Sequence, residues 1–253
     1  MIEPWPDFVI LFGVGLIAGT LNVIAGGGSM LTLPVMIFLG LPPTTANGTN
    51  RVAILVQNVG AVWGFHRHRI IDWSWLAKAA VPALLGVGLG AWAAVEVGDE
   101  AFRRILAGII IVIALWTIWD PLKRRPVGDR IREPDGLAGR VALFGAFVFI
   151  GAYGGFIQAG VGFLILAVTT LIGLNLVRGN ALKVLLVLTF TSVALVIFAL
   201  GGKVEWVVGG VLAAGNLIGG QVGVHLTVLK GHDWVKRVVT VTVIVFAIRL
   251  WFP

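Results

Sequence analysis

The chain has 253 residues, 58% of them hydrophobic and 12% charged, with a formal net charge of +7 and no cysteine. Soluble domains carry about a quarter charged residues, so this composition, with a mean hydropathy of +0.99, excludes a water-covered globule. The lack of cysteine excludes disulfides and thiolate chemistry, and the basic balance fits the loops of a membrane protein rather than a nucleic-acid surface.

In chain order, the opening MIEPWPDF is acidic and lacks the basic start of a signal peptide, so it is expected to be retained and to face outward. Helices are predicted over 8–25, 29–39, 44–66, 74–95 and 101–119. The charged stretch DPLKRRPVGDRIREPDGLAGR occupies 120–140, and further helices are predicted over 143–159, 163–172, 177–199, 206–229 and 234–251. A helix needs ~20 residues to cross ~30 Å of hydrocarbon. The second segment of each set reaches only ~16 Å at 1.5 Å per residue. Each first pair therefore reads as a helical hairpin broken at glycine. The expected fold class is all-α, a polytopic integral membrane protein; a β-barrel would show short alternating segments instead.

The two halves repeat. At an offset of 133, Gly40-Leu41 matches Gly173-Leu174, Asn47 matches Asn180, Asp72-Trp73 matches Glu205-Trp206, and Gly86 and Gly90 match Gly219 and Gly223. Near the breaks the offset slips by one residue, placing Ala25, Gly26 and Gly28 on Ala159, Gly160 and Gly162. The expected organisation is an N-terminal repeat over 1–119, a basic cytoplasmic linker over 120–140 and a C-terminal repeat over 141–253. If the halves are inverted, Arg67, Arg69, the linker, Arg178, Lys230, Lys236 and Arg237 share the cytoplasmic side. Only Arg103, Arg104 and Lys203 then lie outside. The positive-inside rule favours that arrangement, with each half a broken hairpin followed by three transmembrane helices and both termini outside.

The breaks carry the chemistry. Paired interruptions at matching positions of inverted halves are the sequence mark of a transport site, and non-helical backbone in a bilayer is tolerated only against protein or a wet cavity. Gly26, Gly27 and Gly28 recur as Gly160-Val161-Gly162. Half-helices starting there are expected to aim free N–H groups at an anion; close helix packing is the plainer alternative. Asn22 and Gln158 flank the breaks. Asn47, Thr49, Asn50 and Arg51 open the next helix, as Asn180 and Lys183 do in the second half, with Gln57 and Asn58 deeper. Arg51 and Lys183 sit ~10 Å into their helices, so they either face a substrate or snorkel to the interface. No Asp or Glu falls inside a predicted span, which favours an anionic substrate over a cation. Gly13 to Gly19 only loosely echoes a dinucleotide fingerprint, and the four histidines lack metal-ligand partners at useful spacing. No metal, cofactor or catalytic residue is expected.

GTLNVIAGGGSMLTLPVMIFLGLPPTTANGTNR with HRHRIIDW, and GAYGGFIQAGVGFLILAVTTLIGLNLVRGNALK with KVEW, resemble the two copies of the repeat of the TauE/SafE family of sulfite and sulfonate exporters. The resemblance runs over nearly the whole chain. It implies a permease of the bacterial or archaeal inner membrane that moves sulfite or organosulfonates. The glycine breaks, Asn47 to Arg51 and Asn180 to Lys183 match its signature positions.

The function expected is secondary transport, in the export direction, of a sulfur oxyanion by alternating access around a midmembrane site. Substrate-binding candidates are Asn22, Gly26, Gly27, Gly28, Asn47, Thr49, Asn50, Arg51, Gln57, Gln158, Gly160, Gly162, Asn180 and Lys183. The partners expected are a small anion and membrane lipid, not nucleic acid; oligomeric state is left open. Replacing Arg51 or Lys183 by alanine is expected to abolish sulfonate binding while melting temperature persists. The alternatives are an anion channel, an intramembrane enzyme built on Ser29 or His225, and a structural membrane subunit.

Overall fold

The computed structural model describes residues 4–119 and 136–251. Residues 120–135 of the expected linker lie outside it. Among the described residues every regular element is an α-helix: α1 (Pro4–Ile24), α2 (Ser29–Phe38), α3 (Pro43–Arg67), α4 (Ser74–Glu96), α5 (Asp99–Trp119), α6 (Gly136–Phe156), α7 (Val161–Leu171), α8 (Leu176–Leu200) and α9 (Trp206–Trp251). α9 is broken at Gly231, where φ is 72° and ψ is −167°, so its limbs 206–230 and 232–251 are the two helices expected there. α6 begins earlier than expected, and residues 136–140 belong to the helix rather than to the linker.

α1, α4, α6, α8 and residues Trp206–Val235 of α9 are long and apolar enough to cross a membrane. The chain is a polytopic helical membrane protein. α3 is not in that set, because Asn47, Asn50, Arg51, Gln57 and Asn58 lower its hydropathy, yet all five of these side chains are buried. α3 and α8 form the centre of the bundle. Around them the pairings exchange equivalents: α1 packs on α9 and α6 on α4, while α3 packs on α9 and α8 on α4. Apolar side chains on the outer helices, such as Val9, Leu85, Leu89, Phe149 and Val207, point outward, as lipid-facing positions require.

The glycines paired by the sequence offset share a backbone conformation. Gly26 and Gly160 have φ of 86° and 75°, and Gly40 and Gly173 have φ of 98° and 93°. These left-handed conformations are open to glycine without the clash a Cβ brings. Each break therefore turns in the same way, and the turns meet. A Cβ on Gly162 would lie 2.4 Å from the Cα of Gly26, and one on Gly26 would lie 2.5 Å from the Cα of Gly162. The two hairpin tips touch backbone to backbone.

Close approach also governs the outer pairs: a Cβ on Gly90 would fall 1.9 Å from the Ala152 carbonyl oxygen, and one on Gly219 2.0 Å from that of Leu16. Glycine stripes of this kind let membrane helices associate through backbone contact. Replacing Gly162 or Gly219 by alanine is expected to destabilise the protein by about 1–3 kcal/mol through overpacking. Gly13→Ala, where nothing lies within 4 Å, should be neutral or stabilising by up to ~1 kcal/mol. Thermal melting of the three variants in detergent checks this; equal midpoints would remove the close-contact account.

Candidate functional site

A helix that ends inside a bilayer leaves its last four carbonyls without partners, at several kcal/mol per unsatisfied group. α1 and α6 both end at a break, and the central helix of the opposite half supplies the donors. On α8, Asn180 donates Nδ2 to the Ile24 carbonyl at 2.9 Å, and Lys183 donates Nζ to the carbonyls of Asn22 and Val23, both at 2.7 Å. On α3, Asn47 donates Nδ2 to the Phe156 carbonyl at 2.9 Å, and Arg51 donates to those of Gly154 and Gly155 at 3.1 and 2.5 Å. Cations at helix C-termini also meet the negative end of the helix dipole.

This geometry gives both cations a task that neither alternative named. Arg51 is 0% exposed and Lys183 2% exposed, so neither reaches the interface. Their bonds, however, go to helix ends and not into open space. Nζ of Lys183 has a third partner, Oδ1 of Asn180, at 2.6 Å. Asn180 is fixed in that orientation because its Nδ2 meets a carbonyl. Three acceptors that cannot donate require three N–H groups, which an ammonium has and a neutral amine lacks. The Arg51 guanidinium stacks 4.5 Å from the centre of the Phe198 ring. The salt bridges found among the described residues are exposed pairs of Glu100 with Arg103 and Arg104, so the buried polar and charged side chains include two cations and no acid.

The other candidates divide. Asn50 is engaged within the protein, donating to Ser29 Oγ at 3.0 Å and accepting from Thr32 Oγ1 at 2.7 Å. Thr49 Oγ1 accepts the Glu205 N–H. Gln57 accepts from Asn22 Nδ2 at 3.2 Å, and Gln158 donates to Thr191 Oγ1 at 2.5 Å. Gly28 packs on Ala18 of α1. The half-helix N–H groups are less available than expected: Met30 bonds to the Gly27 carbonyl, Leu31 and Thr32 to that of Gly28, and Phe163 to that of Gly160.

Beside the touching tips lies a small cavity lined by Asn22, Ile54, Asn58, Gln158, Val161, Gly162, Lys183 and Val187. Its volume is about 10 Å³, room for about one water. The structure thus gathers Asn22, Gln158, Gly162 and Lys183 of the candidates around one space. Gly26, Gly27, Gly28, Asn47, Thr49, Asn50, Arg51, Gln57, Gly160 and Asn180 are not in its wall. Sequence reasoning missed Ile54, Val161 and Val187, and left Asn58 out of the site. Helical spacing was the available signal, since Ile54 and Asn58 continue the face of Asn47 and Asn50, and Val187 lies one turn beyond Lys183. Four orphaned atoms show that the polar set is incomplete by itself: Oδ1 of Asn47, Nε of Arg51, Nε2 of Gln57 and Oε1 of Gln158 are buried without a partner.

A helical membrane protein with two discontinuous helices meeting in its interior, and a buried cation beside a partly polar cavity, has the architecture of a solute transporter. Residues 11–250 match the family described as "Sulfite exporter TauE/SafE", and the chain belongs to that family. It is 31% identical to a "Probable membrane transporter protein" of Haemophilus influenzae, over 92% of this chain and 89% of that protein. It is 30% identical to the "Probable membrane transporter protein YfcA" of Escherichia coli K12, over 96% and 89%. A Sinorhizobium "Probable membrane transporter protein ORF9" is 30% identical over 95% and 90%. No solved structure matches the chain. The protein is a membrane transporter and not an enzyme.

The capping role changes what the cation variants should do. Lys183→Met removes three charge-assisted bonds, each worth about 1.5–3 kcal/mol, and Asn180→Ala removes two bonds, leaving the Ile24 carbonyl and one Lys183 N–H without partners at about 1–3 kcal/mol each. Both are expected to lower the melting midpoint, Lys183→Met the more, in contrast to the undisturbed stability that a purely ligand-facing cation would give. Scanning calorimetry in detergent measures it, and a wild-type midpoint in Lys183→Met would contradict the capping role.

Proposed function

We propose that this chain is a secondary transporter that exports sulfur oxyanions, sulfite or small organosulfonates, across the inner membrane of a bacterium or archaeon. The two halves, 1–119 and 141–253, are inverted relative to each other and rock about the paired breaks, with both termini outside. The observation that carries the anion assignment is Lys183: the residue lines the cavity, and no acid accompanies it among the described buried side chains, so a bound anion would supply the missing counter-charge. A buried charge without one is costly.

The wall suits a monoanion with a short aliphatic part. Asn22, Asn58 and Gln158 offer amides, and Ile54, Val161 and Val187 offer methyl groups. The Thr191 hydroxyl can donate as well as accept. A half-turn of the Gln158 amide therefore keeps its bond to Thr191 and turns Nε2 toward a sulfonate oxygen. At its present size the cavity does not admit a sulfonate, which matches a closed state between the two open ones. The export direction is taken from the description of the matched family.

Ethanesulfonate and sulfite are expected to raise the melting temperature of the purified protein, and sodium chloride at equal ionic strength is not. Gln158→Leu and Asn58→Leu, which leave the caps intact, should each weaken that response at least about tenfold in concentration, or about 1.4 kcal/mol. Lys183→Gln should abolish it. An undiminished response in all three variants would move the anion site elsewhere.

A further inference from the structure

The halves match in their breaks but not in how their half-helices are held. In the first half, Asn50 of α3 grips α2 at two points one turn apart, donating to Ser29 Oγ and accepting from Thr32 Oγ1. All three side chains are buried, at 0% exposure for Asn50, 2% for Ser29 and 1% for Thr32. Amide-to-hydroxyl bonds across membrane helices resist separation, because hydrocarbon offers no replacement partner.

The second half has lost this grip residue by residue. The position equivalent to Asn50 is Lys183, whose three N–H groups are taken by α1 and Asn180. The positions equivalent to Ser29 and Thr32 are Phe163 and Leu166 at the local offset of 134. Thr169, the one buried polar residue of α7, bonds to the Leu166 carbonyl of its own helix. α7 therefore meets α8 through packing, as where Gly179 lets Thr169 approach. The segment just before α7 is anchored instead. Tyr153 donates its hydroxyl to the Ala159 carbonyl, and Gln158 bonds to Thr191 of α8. The chain then turns at Gly160 with φ of 75°. A fixed point followed by a left-handed glycine and an unlatched helix is a hinge arrangement.

The cavity wall shows the same inequality. Val161 and Gly162, the first residues of α7, line it, and no residue of α2 does. Gly162 is also the residue that touches Gly26. Displacing α7 would thus part the tips and enlarge the cavity in one movement, whereas displacing α2 would first have to break both bonds to Asn50.

We propose that the two hairpins are mechanically unequal: Asn50 is a positioning residue that latches α2 to α3, and α7 is the element that swings about Gly160 to open the cavity. The proposal rests on the chain being a transporter that must open, but not on which solute it carries.

The cysteine-free sequence allows spin labels to be placed at will. Phe38 with Trp63 reports α2 against α3, and the equivalent pair Leu171 with Val196 reports α7 against α8; these four residues are 86%, 57%, 46% and 57% exposed. Each pair spans ~30 Å along the central helix, a distance that pulsed electron–electron resonance resolves. In lipid nanodiscs without added solute, the Leu171–Val196 pair is expected to show a second population displaced by about one helical turn, ~5 Å. The Phe38–Trp63 pair should show a single narrow distance. Asn50→Leu, or Ser29→Ala with Thr32→Val where that variant does not fold, should give the α2 pair a second population too. A single narrow distance in both pairs, equal breadth in both, or breadth confined to α2 overturns the proposal. Adding ethanesulfonate tests the solute separately: a shifted population ratio supports the anion assignment, and an unshifted ratio with unequal pairs sinks that assignment while leaving the latch standing.

Discussion

A helix cannot stop inside a packed apolar interior unless something donates to its last carbonyls, and this chain stops two helices there. Each half leaves the carbonyl end of its broken helix exposed, and each half carries on its own central helix the donors that the other needs. Asn180 and Lys183 reach the end of α1, and Asn47 and Arg51 reach the end of α6. Each half makes some bonds at its own break, as from the Gly26 N–H to the Asn22 carbonyl, and the other half supplies the rest. The reciprocity explains why α3 and α8 are the most enclosed helices despite the polarity of α3, and why the tips of the two hairpins are brought into contact.

Function follows from the excess of that solution. Neutral amides could cap a carbonyl end, but each half adds a cation, and no buried acid among the described residues accompanies them. On the Arg51 side the ring of Phe198 lies against the guanidinium. On the Lys183 side the cavity remains. The duplicated framework has thus diverged where it matters, with one cation enclosed by an aromatic ring and the other left next to a space. The difference between Asn50 and Lys183 extends that divergence from charge to mechanics.

Much of this was legible in the sequence. The constant offset pointed to equivalent positions in the two halves, and the paired glycines located both breaks, where the backbone turns left-handed at Gly26 and Gly160. Helix limits were close to those observed, except for the early start of α6. The polar residues lie near the breaks, and the structure adds bonds to helix ends and half-helices that the sequence did not show. Asn47, Asn50, Arg51 and Asn180 looked like ligands because spacing within a helix says which face a residue occupies and not what lies opposite. The partners of Arg51 are more than a hundred residues away, and no local pattern encodes them. Ile54 and Val187 were passed over for the converse reason, since an aliphatic residue in a membrane helix carries no signal until a cavity is seen beside it.

The account depends on Lys183 being an ammonium in the protein interior, held by carbonyl and amide oxygens alone. Nitrogen-15 NMR of the lysine side chains in lipid tests this directly, with Lys183→Arg identifying the resonance. The expected result is a protonated Nζ signal that is protected from solvent exchange and missing in the variant. A neutral amine at that position, or a freely exchanging one, would contradict the capped-cation architecture and the anion site built on it.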